Sequence, residues 1–206
     1  MTILERSAGN KYGKQLQETN AGRQKAERKS HMEKYRELTG LCLMPGVNND
    51  KLETFRQKYI NDPSKVVPMH ITLLNRFFLP GAMNTEIVDK LKAIASRTQR
   101  FEFWAKPLSC FPTSNVLYLT PSPLAPVEAM TQVLYDTFPE YHTDFCGFST
   151  YHMTIAIGNP KKKMNDIIKE YLEIFEYAPL RFEARSMDMF HLSENKWTKY
   201  LSFDLA

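Results

Sequence analysis

The sequence predicts an α+β fold of two lobes, each a small, mostly antiparallel sheet with helices outside it, and an active-site groove between them. Three observations lead there. Segments that alternate apolar and polar with period two, the mark of a half-buried strand, are interleaved with segments whose apolar residues recur every three to four positions. The order of these segments repeats, because strand, helix, strand, strand occurs twice, as a two-fold repeat of elements without a repeat of sequence. Each repeat also opens on a similar short run, Met69-His70-Ile71-Thr72-Leu73 in the first and Tyr151-His152-Met153-Thr154-Ile155 in the second.

Residues 1–36 are polar, rich in Gln, Lys and Glu, and are expected to form a flexible extension rather than part of the core. They hold nine Lys and Arg against four Glu, whereas residues 37–206 hold eighteen basic and nineteen acidic residues. The formal charge of +4 therefore belongs to the extension. Such a tail can touch phosphates, although its ordinary role is solubility.

The expected two-lobed domain spans residues 37–206. Leu38 to Met44 alternates into a strand that Pro45-Gly46 stops. Asn49-Asp50 caps a helix through Leu52, Phe55, Tyr59 and Ile60, ended by Asn61-Asp62-Pro63. Val66 to Phe78 reads as the first motif strand. Asn84 then caps a helix with Ile87, Val88, Leu91, Ile94 and Ala95 on one face. Phe101–Phe111 and Val116–Thr120 form a hairpin about Pro112-Thr113-Ser114-Asn115. A helix from Val127 to Phe138 follows, and then a loop through Tyr141-His142 and Cys146-Gly147-Phe148. The second motif strand ends at Gly158-Asn159-Pro160. A helix from Met164 to Tyr177 and a hairpin, Leu180–His191 with Lys196–Leu205, complete the chain.

Within a strand, residues i and i+2 share a face. His70 and Thr72 thus point one way and Met69, Ile71 and Leu73 the other, and the second copy behaves alike. With five His and fifteen Thr in 206 residues, chance supplies ~0.4 His-x-Thr triplets, so one triplet would mean little and two within β-like runs mean more. Two imidazoles and two hydroxyls facing a groove suit phosphodiester chemistry without metal. A neutral His takes a proton from the attacking oxygen, and a protonated His gives one to the leaving oxygen. The Thr hydroxyls donate to the non-bridging oxygens, where charge gathers.

No Asp, Glu, Cys or third His stands at motif spacing, so neither a zinc site nor any other cofactor is expected. The three cysteines, Cys42, Cys110 and Cys146, are far apart and odd in number, which argues against a disulfide framework and for a reducing, cytoplasmic setting, with the nucleus as the alternative. No apolar run reaches the ~18 residues of a membrane span, and no membrane partner is expected. Tyr118, Phe148 and Trp197 are candidates to stack a nucleobase, and Arg76 and Lys161–Lys163 to meet phosphate. His31, His142 and His191 read as structural or surface residues.

The paired runs His70-Ile71-Thr72-Leu73 and His152-Met153-Thr154-Ile155 resemble the two-histidine (2H) phosphoesterase superfamily, which includes 2'-5' RNA ligase-like proteins and cyclic phosphodiesterases. The resemblance covers roughly residues 37–206. It implies His70 and His152 as the acid/base pair, in either assignment, and Thr72 and Thr154 as phosphate binders. It also implies hydrolysis of 2',3'-cyclic phosphates, or related cyclic or 2'-5' linkages, of nucleotides or RNA 3' ends. A monomer is expected. Ligation by the same residues and binding without turnover are the rival readings.

Overall fold

The computed structural model describes residues 37–46, 50–60, 66–111, 113–141, 150–158 and 163–206. The predicted extension, the candidates Phe148, Lys161 and Lys162, and His31, His142 and Cys146 lie outside these residues. Among the described residues there are seven strands, β1 (Leu38–Gly46), β2 (Ile71–Asn75), β3 (Phe101–Phe111), β4 (Val116–Ser122), β5 (Met153–Ile157), β6 (Leu180–Ser193) and β7 (Lys196–Asp204). The helices are α1 (Asp50–Tyr59), α2 (Thr85–Arg97), α3 (Ala125–Thr137) and α4 (Met164–Phe175). The order β2-α2-β3-β4 recurs as β5-α4-β6-β7, and the α+β class holds.

The expected pair of sheets does not. All seven strands share one antiparallel sheet in the order β2-β1-β6-β3-β4-β5, with β7 also on β6. The reason is the length of β6. Fourteen residues long, it pairs β1 along one edge through residues 183–192, and along the other it pairs first β3, through residues 180–184, and then β7, through residues 186–193. One long strand thus belongs to both halves.

Two strand limits also differ from expectation, for physical reasons. β1 continues through Pro45 to Gly46 because the ladder with β6 shifts register between Met44 and Pro45, and such a bulge accommodates a residue with no N–H to give. The first motif strand is only Ile71–Asn75. Val67 and Met69 are buried without belonging to the ladder, so apolar pattern alone overstated its length.

Helices cover the sheet with the faces their spacing predicts. α2 buries Ile87, Leu91, Ile94 and Ala95, each large side chain contributing about 1.5–3 kcal/mol on burial. Phe55 of α1 meets Tyr171 and Phe175 of α4 edge-on, at ring-centroid distances of 5.5 and 6.2 Å. α4 stops at Phe175 rather than Tyr177 because Glu176 and Tyr177 both take left-handed backbone, with φ of 49° and 58°. The β6–β7 turn is made by Glu194 and Asn195, also left-handed at 52° and 61°, the backbone that a tight hairpin requires. Among the described residues no helix is long and apolar enough to cross a membrane.

Asn84 caps α2 as its sequence position predicts, its Oδ1 accepting from the Ile87 N–H at 2.9 Å. Asn84→Ala is expected to destabilise the protein by about 1 kcal/mol in urea unfolding, while Asn84→Asp, which keeps the acceptor, stays near the parent. Equal loss in both variants would show that the cap is not the source.

Candidate functional site

The two motifs sit on the two edge strands, β2 and β5, which close opposite ends of the strand order. Their local structure is the same. On β2, Leu41 of β1 faces Leu74 and Cys42 faces Thr72, so Leu73 is an extra residue. On β5, Leu117 of β4 faces Ala156 and Tyr118 faces Thr154, so Ile155 is extra. A bulge at the residue after each threonine turns consecutive side chains inward, which is why Leu73 and Leu74, and likewise Ile155 and Ala156, are all buried.

Each histidine lies one residue ahead of its strand, not within it as expected. Alternation still holds in the first copy, where Met69 and Ile71 are buried and His70 and Thr72 half-buried. In the second, Met153 and Ile155 are buried and His152 and Thr154 half-buried, but Tyr151, expected to face away with them, is half-buried and in the cavity wall. The His70 Nδ1 lies 2.7 Å from the Pro68 carbonyl oxygen, and the His152 Nδ1 lies 2.7 Å from that of Thr150. A carbonyl only accepts, so each Nδ1 carries its proton and leaves Nε2 as the working nitrogen.

His70, Thr72, His152 and Trp197 line one cavity of about 250 Å³, with Tyr135 of α3 and Tyr151 also in its wall. In a flat sheet, five spacings of ~4.8 Å would hold β2 and β5 about 24 Å apart, so the sheet must curl to put both motifs on one cavity. A larger cavity, about 760 Å³, opens between the β3–β4 hairpin and α4 but is lined by residues such as Leu108, Leu117, Ile168 and Tyr177 and by no histidine. Size therefore does not locate the chemistry, whereas the motifs do.

Burial pushes the His70 pKa down to about 4, and the charges of Arg56 and His152 act in the same direction, against the raising effect of the Pro68 bond. His70 is accordingly neutral at neutral pH. Arg56 is the buried cation in question, at 4% exposure. From α1 its Nη2 donates to the Val67 carbonyl at 2.6 Å and its Nε to the Thr154 carbonyl at 3.4 Å, and Glu53 lies 3.6 Å from Nη1. Sequence reading missed it. The signal was an arginine four residues after Leu52 and three before Tyr59, on the apolar face of its helix.

The other candidates divide. Trp197 reaches the cavity and packs with Cys42, Val67 and Phe190. Tyr118 is buried, with its ring centroid 5.3 Å from that of His152 and Phe111 stacked on it at 4.2 Å, so it walls His152 rather than offering an open face. Thr154 is half-buried on β5 and is not among the cavity's lining residues. Arg76 is exposed one residue beyond β2, in left-handed backbone at φ 61°, and does not line the cavity either. Lys163 is exposed just before α4. His191 sits in the β6 ladder between Thr39 and Thr198, as a structural residue would.

Cys42 is hydrogen-bonded to Thr72, but burial and the nearby Asp188 push its thiol far up, so it is no nucleophile at neutral pH. Among the described residues no group of three His, Cys, Asp or Glu could hold a metal ion.

Residues 45–196 match the family described as the 2'-5' RNA ligase superfamily. A Geobacillus sp. (strain WCH70) protein named "Putative phosphoesterase" is 26% identical over 174 residues, covering 80% of this chain and 94% of its own. A Bacillus pumilus (strain SAFR-032) protein of the same name is 27% identical over 180 residues, 81% of this chain and 96% of its own. Among solved structures, TT0787 of Thermus thermophilus superposes with a TM-score of 0.54 at 13% identity, over 82% of this chain and 97% of that one. Apo LigT of E. coli superposes with a TM-score of 0.51 at 10% identity, over 82% and 98%. These two likenesses speak for the fold.

The depressed His70 has a consequence for stability. An unfolded histidine binds its proton near 6.5, whereas the folded His70 does so only at about 4. Between those values the unfolded chain holds more protons, so this contribution to stability is lost as pH falls from 6.5 toward 4. Proton NMR is expected to place the His70 midpoint near 4, and urea unfolding of His70→Gln is expected to depend less on pH over that window than the parent. A His70 midpoint at or above 6.5 would refute the neutral assignment.

Proposed function

Since the chain belongs to the 2'-5' RNA ligase superfamily, we propose that it is a phosphoesterase, and more narrowly a metal-independent phosphodiesterase opening 2',3'-cyclic phosphates of nucleotides or RNA ends. The observation that carries the reading is the cavity shared by His70 and His152, each with Nδ1 held by the carbonyl two residues back. The names of the relatives support the broader statement.

The lowered pKa of His70 supports its assignment as the base, which leaves the acid to His152. His70, kept neutral, is the base, and its Nε2 takes a proton from a water whose oxygen forms the new bond to phosphorus. The bond from phosphorus to one ribose oxygen breaks, and His152, entering protonated, delivers its Nε2 proton to that oxygen. The product is a phosphomonoester with a free ribose hydroxyl. His70 leaves the cycle protonated and His152 neutral, and exchange with solvent restores both. Thr72 donates its hydroxyl to a non-bridging oxygen, and Thr154 is assigned the same task from its like place on β5. Trp197 offers an aromatic face to the base. A cavity of about 250 Å³, near the lower end of the roughly 300–1,000 Å³ usual for small-molecule sites, favours a single terminal nucleotide.

Turnover of 2',3'-cyclic nucleotide monophosphates in excess EDTA tests this. Activity is expected to survive chelation and to fall by at least about 10²-fold in both His70→Ala and His152→Ala, with both variants folded. Full activity in either variant, or abolition by EDTA, defeats the mechanism. Nucleotide binding without turnover of any cyclic phosphate, including that of ADP-ribose, would leave a binding module instead.

A further inference from the structure

Arg56 has no part in the bond-making steps above, yet it is a charge withdrawn from water, and a buried guanidinium persists only with partners. Besides Glu53, one turn earlier, those partners are two backbone carbonyls. Val67 lies three residues before His70, in the segment leading into β2, and Thr154 lies two residues after His152, on β5. β2 takes its ladder bonds from β1 and β5 takes its own from β4. The sheet's hydrogen bonds therefore do not register one motif against the other, and something else must fix their separation.

We infer that Arg56 is the positioning residue of the two-histidine site: its guanidinium ties the segment that carries His70 to the strand that follows His152 and so sets the spacing of the two imidazoles. A planar fork with five donors can hold carbonyls of two different elements at once, which the single ammonium of a lysine cannot do with the same geometry. The charge also matters. Among the described residues, Arg56 from α1 and His152 from the second motif are the side chains whose charge opposes protonation of His70; Thr72, Asn75, Tyr135 and Tyr151 are the other polar side chains at the cavity. One cation thus holds the pair in place and adds to the burial that keeps its first member neutral. The kinetic part of this inference rests on the phosphodiesterase reading, whereas the part concerning His70 does not.

Arg56→Gln and Arg56→Lys separate the two effects. With a 2',3'-cyclic nucleotide, both variants are expected to lose about 10²-fold in kcat, the loss that ~1 Å of misplacement brings, with KM within about threefold of the parent. The His70 NMR midpoint is expected to rise in Arg56→Gln while staying below the ordinary histidine value, because burial is the larger cause of its depression, and to stay low in Arg56→Lys. A folded Arg56→Gln with the parent's kcat and an unmoved His70 midpoint overturns the inference. If that variant does not fold, parent-like kcat in Arg56→Lys overturns it. In the unaltered chain, exchange of the Arg56 guanidinium protons slower than for exposed arginines supports the two-carbonyl tether, and exchange at the exposed rate overturns it. If the parent turns over no cyclic phosphate, the functional reading fails while the His70 midpoint and the exchange rate still decide the role of Arg56.

Discussion

The guanidinium of Arg56 lies between two segments that no ladder joins, and the geometry of the site depends on that junction. β2 and β5 end the strand order on opposite sides, yet the residues beside them line one cavity. The curl that brings them together runs through β6, whose Ala184, Met187 and Met189 are fully buried while its edges serve three partners. Bulges on both motif strands, at Leu73 and Ile155, add local twist where the ends approach. Helices close the seam, with α1 against β5 and α3 against β2. Long-range pairing thus brings the two motif strands to one cavity, and Arg56 ties the segments beside them.

A second polar feature supports the first motif from behind. Thr72 of β2 faces Cys42 of β1, Cys42 faces Asp188 of β6, and Asp188 faces Ser202 of β7. Residues directly opposite in a sheet share a face, so the four form a row running away from the cavity. Thr72 is hydrogen-bonded to Cys42. Ser202 donates to Asp188 Oδ1 at 2.6 Å, and Lys199 brings its ammonium within 2.6 Å of Oδ2. Asp188 is fully buried, and a carboxylate there without a cation would be strongly destabilising. The row gives the threonine a fixed neighbour and places the charge that needs solvent access at the far end, where Lys199 is half-exposed.

Local features of the fold were legible because local physics produces them. Asn84 is a cap in sequence and in structure, the face of α2 follows its spacing, and the half-buried His–Thr alternation holds at both motifs. What could not be read was long-range. β1 pairs with β6 across about 150 residues, with Leu38 opposite Leu192, and no periodicity within either segment announces that partner or the single sheet it creates. The length of the first motif strand was overstated because Val67 and Met69 are apolar for burial, not for pairing. Tyr118 is a candidate in sequence to stack a nucleobase, but facing Thr154 across the β4–β5 ladder it lies buried with its ring beside His152. Arg56 was hidden by convention, since a charged residue in a helix is ordinarily assigned to water.

Two histidines with the same tether and the same strand do not, by themselves, divide the work of acid and base; the difference has to come from what surrounds them. α1 buries Leu52, Phe55, Arg56 and Tyr59, and α3 buries Val127, Met130, Thr131 and Leu134. The spacing is the same, i, i+3, i+4 and i+7, and each helix lies on one edge strand, α1 on β5 and α3 on β2. At the third position one helix carries a guanidinium and the other a hydroxyl. Thr131 Oγ1 is buried with no hydrogen-bond partner among the described residues, whereas Arg56 reaches across the seam to both motifs. Among the described residues the buried positions of these two helices thus give the frame a cation from α1 and none from α3, and that cation disfavours protonation of His70, while Phe111 and Tyr118 stand beside His152. Repetition of elements supplies two similar imidazoles; burial is the larger cause that keeps His70 neutral, and arginine in place of threonine on the covering helix adds to it.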